Sequence, residues 1–199
     1  MWHRRRVQLP VRFAAGCGIA APAAFIGGWL ANGLRTPGYD PLTQAISQLA
    51  REGAPTRPAM TLAFVVFGML VLPWAPVLAR ALKAPGLLPA VAVAGLATLA
   101  VAVVPLSREP GGTQDALHGI AAGTGYVAMA LTPLLAALAL RRLGHPRLAA
   151  TSAAVGVVSA LCLAATLTAD ASGLFQRLGL GVVDLWHVVA AIVVLRRRR

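Results

Sequence analysis

Acidic side chains are scarce in this chain. Six Asp and Glu stand against eighteen Lys and Arg in 199 residues, and only 12% of the sequence is charged. A soluble fold carries about a quarter of its residues as charges, so a water-soluble globular domain is excluded. Cysteine is just as sparse: Cys17 and Cys162 both fall in apolar blocks, and no CxxC occurs. That excludes a disulfide framework and gives no thiol motif for metal or redox work. Aromatic residues make up 6%, and the arginines flank apolar blocks instead of mixing with aromatics on a soluble domain. The net charge of +12 therefore does not describe a nucleic-acid surface. Anionic lipid headgroups account for it more simply.

Apolar length is what the chain has in abundance. It is 58% hydrophobic, with a mean hydropathy of +0.73. Uncharged windows run 13–34, 58–79, 84–107, 116–140, 148–169 and, except for Asp184, 178–195. A bilayer core takes about 20 residues of helix, so each window is long enough for one span. The spacing predicts an all-α bundle of six transmembrane helices forming one domain over 1–199. The start, MWHRRRVQLPVRFAAG, has the order of a secretory signal, but its apolar run is too long for one and reads as an uncleaved first helix.

Charge orients the bundle. Thirteen Lys and Arg fall on the side of the termini: Arg4–Arg6 and Arg12, Arg80 and Lys83, Arg141, Arg142 and Arg147, and Arg196–Arg199. Five fall on the other side: Arg35, Arg51, Arg57, Arg108 and Arg177. Basic loops stay in the cytoplasm, which predicts an inner (plasma) membrane protein with both termini cytoplasmic.

The longest connection, RTPGYDPLTQAISQLAREGAPTR, is then external. Asp40 as N-cap, Pro41 at the first helical position, and Leu42, Ile46 and Leu49 at helical spacing predict a short amphipathic helix over about 41–52. Inside the bundle, the Gly119-x-x-x-Gly123 pair and Gly16, Gly18, Gly95, Gly156, Gly179 and Gly181 let helices approach closely. Pro22, Pro73, Pro76, Pro105 and Pro133 kink or end helices locally.

Two echoes stand out: DALHG in the fourth window and DLWHV in the sixth. At a spacing of three, Asp115 and His118 share a helix face, as do Asp184 and His187. Asp184 falls about 9 Å inside its window, counting about 1.5 Å per residue. An acid at that depth costs at least about 2.5 kcal/mol, so it must face the bundle, be partnered or be protonated.

Three readings stay open. The pairs are interhelical glue in a purely structural membrane protein. Alternatively, His118, His187 and Asp184 hold zinc in a lipid hydrolase, with Ser47 or Asp115 assisting. In the third, they bind a lipid headgroup, a proton or a small polar ligand. Tyr39, Asp40, Arg108 and Arg177 lie on the same predicted face and make candidate ligand-binding residues of an outward pocket. Membrane lipids are the expected partners, and oligomeric state stays open.

The stretch TPGYDPLTQAISQLAREGAPTRPAM with AFVVFGML, then VVPLSREPGGTQDALHGIAAGTGY and GLFQRLGLGVVDLW, resembles in order a bacterial and archaeal membrane family. That family is known as domain of unknown function nine-nine-eight. The resemblance implies six spans and an outward polar face carrying Tyr39, Asp40, Ser47, Pro105, His118 and Arg177, with Gln176 standing where an acid is expected. It brings no reaction. A more distant likeness is to the intramembrane hydrolases of the alkaline ceramidase and progestin-receptor-like group, which combine a serine, an aspartate and three histidines around zinc. This chain lacks the third histidine and their terminal His-x-x-x-His.

Overall fold

A computed structural model describes residues 2–196, with side chains from residue 10 onward. Uncharged blocks about 20 residues long satisfy their backbone in lipid by coiling into helices, and six form. They are α1 (Trp2–Arg35), α2 (Arg57–Ala81), α3 (Leu87–Val103), α4 (Thr113–Arg142), α5 (Pro146–Ala165) and α6 (Ser172–Arg196). Each packs on its neighbours in sequence, and α1 closes onto α6, so the helices make an up-and-down ring. Large apolar side chains cover its outside. Leu62, Met69, Leu96, Ile120, Leu161 and Leu185 are each more than half exposed, a continuous apolar surface that water would not tolerate. The chain is a helical membrane protein.

Five helices are long and apolar enough to cross a bilayer. α3, at 17 residues, sits at the short limit of a span. It stops at Val103 because Pro105 drives the residue before it out of helical geometry, leaving Val104 at φ −110°, ψ 82°. Pro10, Pro22, Pro73, Pro76 and Pro133 lie inside continuous helices.

The core is aromatic on one side and small on the other. Phe25 stacks at 6.0 Å from Phe64 and 5.5 Å from Phe67, centroid to centroid. Trp74 is fully buried and fits because Gly18 faces it: a Cβ there would lie 2.8 Å from the indole. Gly68 and Gly95 face each other where α2 meets α3; a Cβ on Gly68 would sit 2.6 Å from Leu99 Cγ and 2.8 Å from the Gly95 carbonyl oxygen. The predicted Gly119–Gly123 contact does not form. Nothing lies within 4 Å of where either Cβ would be, because that face of α4 points away from the ring.

The segment between α1 and α2 covers one end of the bundle. Its helix is shorter than predicted, a 3₁₀ turn over Ile46–Ala50 with Ile46, Ser47, Leu49 and Ala50 buried. The cause is competition for its backbone. Asp40 does cap the start, taking the Leu42 N–H at 2.9 Å, but Gln176 Oε1 takes the Ile46 N–H at 2.6 Å and the Leu42 carbonyl accepts from the Leu174 N–H at 2.8 Å. Groups that would have closed an α-helix are engaged elsewhere.

Gly68→Ala is expected to lower unfolding stability by about 1–3 kcal/mol through overpacking. Gly119→Ala is expected to leave it unchanged or raise it by about 0.5 kcal/mol. Thermal unfolding of the two variants in one detergent checks the contrast.

Candidate functional site

Arg177 fastens the cap to the bundle. One guanidinium nitrogen donates to the carbonyls of Pro41 at 2.7 Å, Gln44 at 2.9 Å and Gly173 at 2.8 Å, and the other donates to the Tyr39 hydroxyl. The plane sits over the rings of Trp29 at 5.2 Å and Tyr39 at 5.5 Å. Arginine suits this place because a planar fork can bond in its plane and stack on its face. Around it, the Leu174 N–H donates to the Leu42 carbonyl at 2.8 Å and the Ser172 hydroxyl to the Thr43 carbonyl at 3.0 Å. Burial pushes the Tyr39 phenol above its ordinary range, with the Arg177 charge opposing it. Hydrogen bonds from Thr43 and the Leu42 N–H hold the Asp40 carboxyl below its ordinary range. Tyr39, Asp40 and Arg177, expected as ligand contacts, have protein partners.

The far side of the cap is tied down as well. Asp115, third residue of α4, accepts from the Ser107 N–H at 2.7 Å, the Ser107 hydroxyl at 2.8 Å and the Gly111 N–H at 2.8 Å. It closes the α3–α4 connection. Arg108 is exposed and lies against Gly53, whose Cβ would fall 3.2 Å from its Nε. The Glu52 N–H donates to the Leu106 carbonyl at 3.0 Å, joining the two connections.

Beneath the cap, inside the ring, is a chamber of about 70 Å³. By volume it suits a few waters or one small functional group. Ser47 comes from the cap, Thr98 from α3, His118 and Tyr126 from α4, and Gln176 and Asp184 from α6; the remaining walls are mostly apolar, with Phe25, Phe64 and Phe67 among them. Ser47, His118 and Asp184 are thus brought together, and Asp115 and His187 are not among the lining residues. Tyr126 and Thr98 were absent from the sequence expectations. Tyr126 is held by a 3.1 Å hydrogen bond from its hydroxyl to the Gln176 carbonyl, a contact between helices that no local pattern announces.

The hydrogen bonds assign the ring nitrogens. His118 Nδ1 lies 2.7 Å from the Val104 carbonyl. A carbonyl only accepts, so Nδ1 carries a proton, and in the neutral ring Nε2 presents a lone pair. That Nε2 is buried without a partner, and so are both carboxylate oxygens of Asp184. His118 is 4% exposed and Asp184 fully buried. His187 has the opposite arrangement: its Nδ1 accepts from the Trp74 indole at 3.0 Å, so its Nε2 is the protonated nitrogen. Neither predicted Asp-His pair is joined by a hydrogen bond among the described residues.

These residues do not fit a zinc ion. His187 has its only lone pair engaged by Trp74, and among the described residues no three His, Cys, Asp or Glu side chains gather as a metal-holding group. Of the three residues expected to hold zinc, His118 and Asp184 line the chamber and His187 does not.

An apolar ring of helices with one capped end and a chamber beneath the cap defines an integral membrane bundle. A family model described as "Protein of unknown function (DUF998)" matches residues 19–193, and the chain belongs to that family. No curated protein and no solved structure matches it.

Arg177→Lys removes the fork and the stacking while keeping the charge. Amide exchange of residues 42–50 is expected to quicken by about tenfold or more, for the loss of two or more hydrogen bonds at about 1 kcal/mol each. Amides at the centres of α2 and α4 should be unaffected.

Proposed function

We propose that the chamber binds the hydrogen-bond-donating end of an amphiphile, a lipid or lipid-linked molecule, whose apolar remainder stays with the hydrocarbon. The observation that carries this reading is the set of three buried polar atoms without a partner, His118 Nε2 and the two Asp184 oxygens. A polar atom buried without a partner costs about 1–3 kcal/mol, and an ionised group costs more. A ligand that supplies donors, an ammonium or clustered hydroxyls, removes that cost. The surrounding Phe and Met side chains favour an apolar neck over a free polar solute.

Binding is favoured over hydrolysis. Among the described residues no hydrogen bond links Ser47 to His118 or Asp184, so the nucleophile–base contact that acyl transfer starts from is not formed. The capped end faces away from the cytoplasm, as the arginine excess at the opposite end supports. A single cysteine placed at Gly38, in a background with Cys17 and Cys162 replaced, is then expected to react with an impermeant maleimide in intact cells. One placed at Gly86 is expected to stay unlabelled, and the reverse pattern would invert the topology.

The binding reading is tested with dodecylamine and dodecyl methyl ether, which differ in whether the head donates. The detergent-purified protein is expected to bind the amine saturably and the ether at least about tenfold more weakly. Asp184→Asn should weaken amine binding by about tenfold, the worth of one charged hydrogen bond. Equal binding of amine and ether, or an Asp184→Asn protein that binds like wild type, would contradict the proposal.

A further inference from the structure

A second cavity lies at the other end of the bundle, and its polar bookkeeping is the reverse of the chamber's. It has a volume of about 270 Å³ and is lined from α2, α4, α5 and α6, with Leu82, Leu140, Leu148 and Val194 near the helix ends and Trp186 and Ser152 at the deep end. On α6 the lining runs from Trp186 to Val194, about 12 Å along the axis at about 1.5 Å per residue. Leu148, Val189 and Val193 in its wall are exposed, so it opens sideways as well as toward the helix ends. Its polar groups are already engaged. The Trp186 indole donates to the Ser152 hydroxyl at 2.9 Å, and the Thr151 hydroxyl donates to the Arg147 carbonyl at 3.1 Å. With its indole and threonine donors engaged and most of its lining apolar, the cavity suits hydrocarbon.

The charged residues next to its end-of-helix lining in sequence are all basic. Arg80 adjoins the lining residue Ala81, Arg141 and Arg142 follow Leu140, Arg147 precedes Leu148, and Arg196 follows Val194 by two residues. All five are exposed. The chain's six carboxylates lie elsewhere: Asp40, Glu52, Glu109, Asp115 and Asp170 at the capped end, and Asp184 in mid-helix.

We infer that this cavity is a binding site for an anionic phospholipid of the bilayer. One acyl chain lies along α6 beneath Trp186, and the phosphate sits among the arginines. Both halves of the ligand follow from the site: a mostly apolar trough for the chain and, among the described residues, guanidinium groups with no acidic side chain beside them for the anion. The inference is independent of the chamber and of what binds there.

Trp186 in the wall supplies the readout. The detergent-purified protein is titrated with phosphatidylglycerol carrying brominated acyl chains, and separately with phosphatidylcholine carrying the same chains. Saturable quenching of tryptophan fluorescence is expected, largely absent in Trp186→Phe, with phosphatidylglycerol bound about tenfold more tightly. Replacing Arg141, Arg142 and Arg147 together by Gln alters only exposed side chains, and should bring the two lipids within about twofold of each other. Equal affinities in the wild-type protein, quenching that survives in Trp186→Phe, or a headgroup preference that survives in the triple variant would each overturn the assignment.

Discussion

At hydrocarbon depth a polar atom has no water to turn to, so it finds a partner inside the protein or carries an open cost. This constraint sorts the polar side chains of the bundle. Most are closed off locally: Thr98, Thr124 and Thr132 each donate to the carbonyl one turn back, and Trp186 finds Ser152. Asp184, the inner nitrogens of His118 and His187, and the Ser159 hydroxyl do not. An acid placed midway along α6 with neither oxygen engaged is a poor way to hold helices together, because polar contacts between spans contribute only about 0.6 kcal/mol on average. Its position makes sense when a third party supplies the donors.

The cap makes such a site possible. Arg177 gathers the carbonyls of Pro41 and Gln44 and the Tyr39 hydroxyl into one knot on the first turns of α6. Gly173 allows the cap backbone to come that close, since a Cβ there would overlap the carbonyls of Gln44 and Pro41. The same knot brings Ser47 over the chamber whose deeper wall carries Asp184. Arg177 therefore acts on the chamber through the cap. At the opposite end the apolar trough and its arginines have no comparable lid, and the bundle is chemically polarised along its axis: acceptors under a cap at one end, cations around open hydrocarbon at the other.

Much of the fold was legible in the sequence because lipid makes a simple demand. Uninterrupted apolar length gave six helices in the expected order, with boundaries shifted where Pro105 cut α3 short and where α6 began at Ser172, ahead of Arg177. The GxxxG at Gly119 failed as a contact because the motif carries no information about which face of α4 meets a neighbour. Gly68 and Gly95, far apart in sequence, make the close approach instead. In the site, His118 and Asp184 were legible as polar residues that an apolar context had to explain, and Ser47 only as a polar residue of the external segment. The two Asp-x-x-His echoes proved unlike: Asp115 serves a loop, and His187 turns to Trp74. Which polar neighbour a side chain finds depends on the helix across the ring, and spacing within one helix cannot report that.

The central claim is that Asp184 and His118 keep acceptors free for something other than this chain. An experimental structure of the protein in lipid nanodiscs, at a resolution that shows ordered ligands, tests it most directly. The expected result is non-protein density within hydrogen-bond reach of an Asp184 carboxylate oxygen and of His118 Nε2, continuing into an apolar tail. A chamber closed by direct bonds from Asp184 and His118 to other side chains of the bundle would contradict the account.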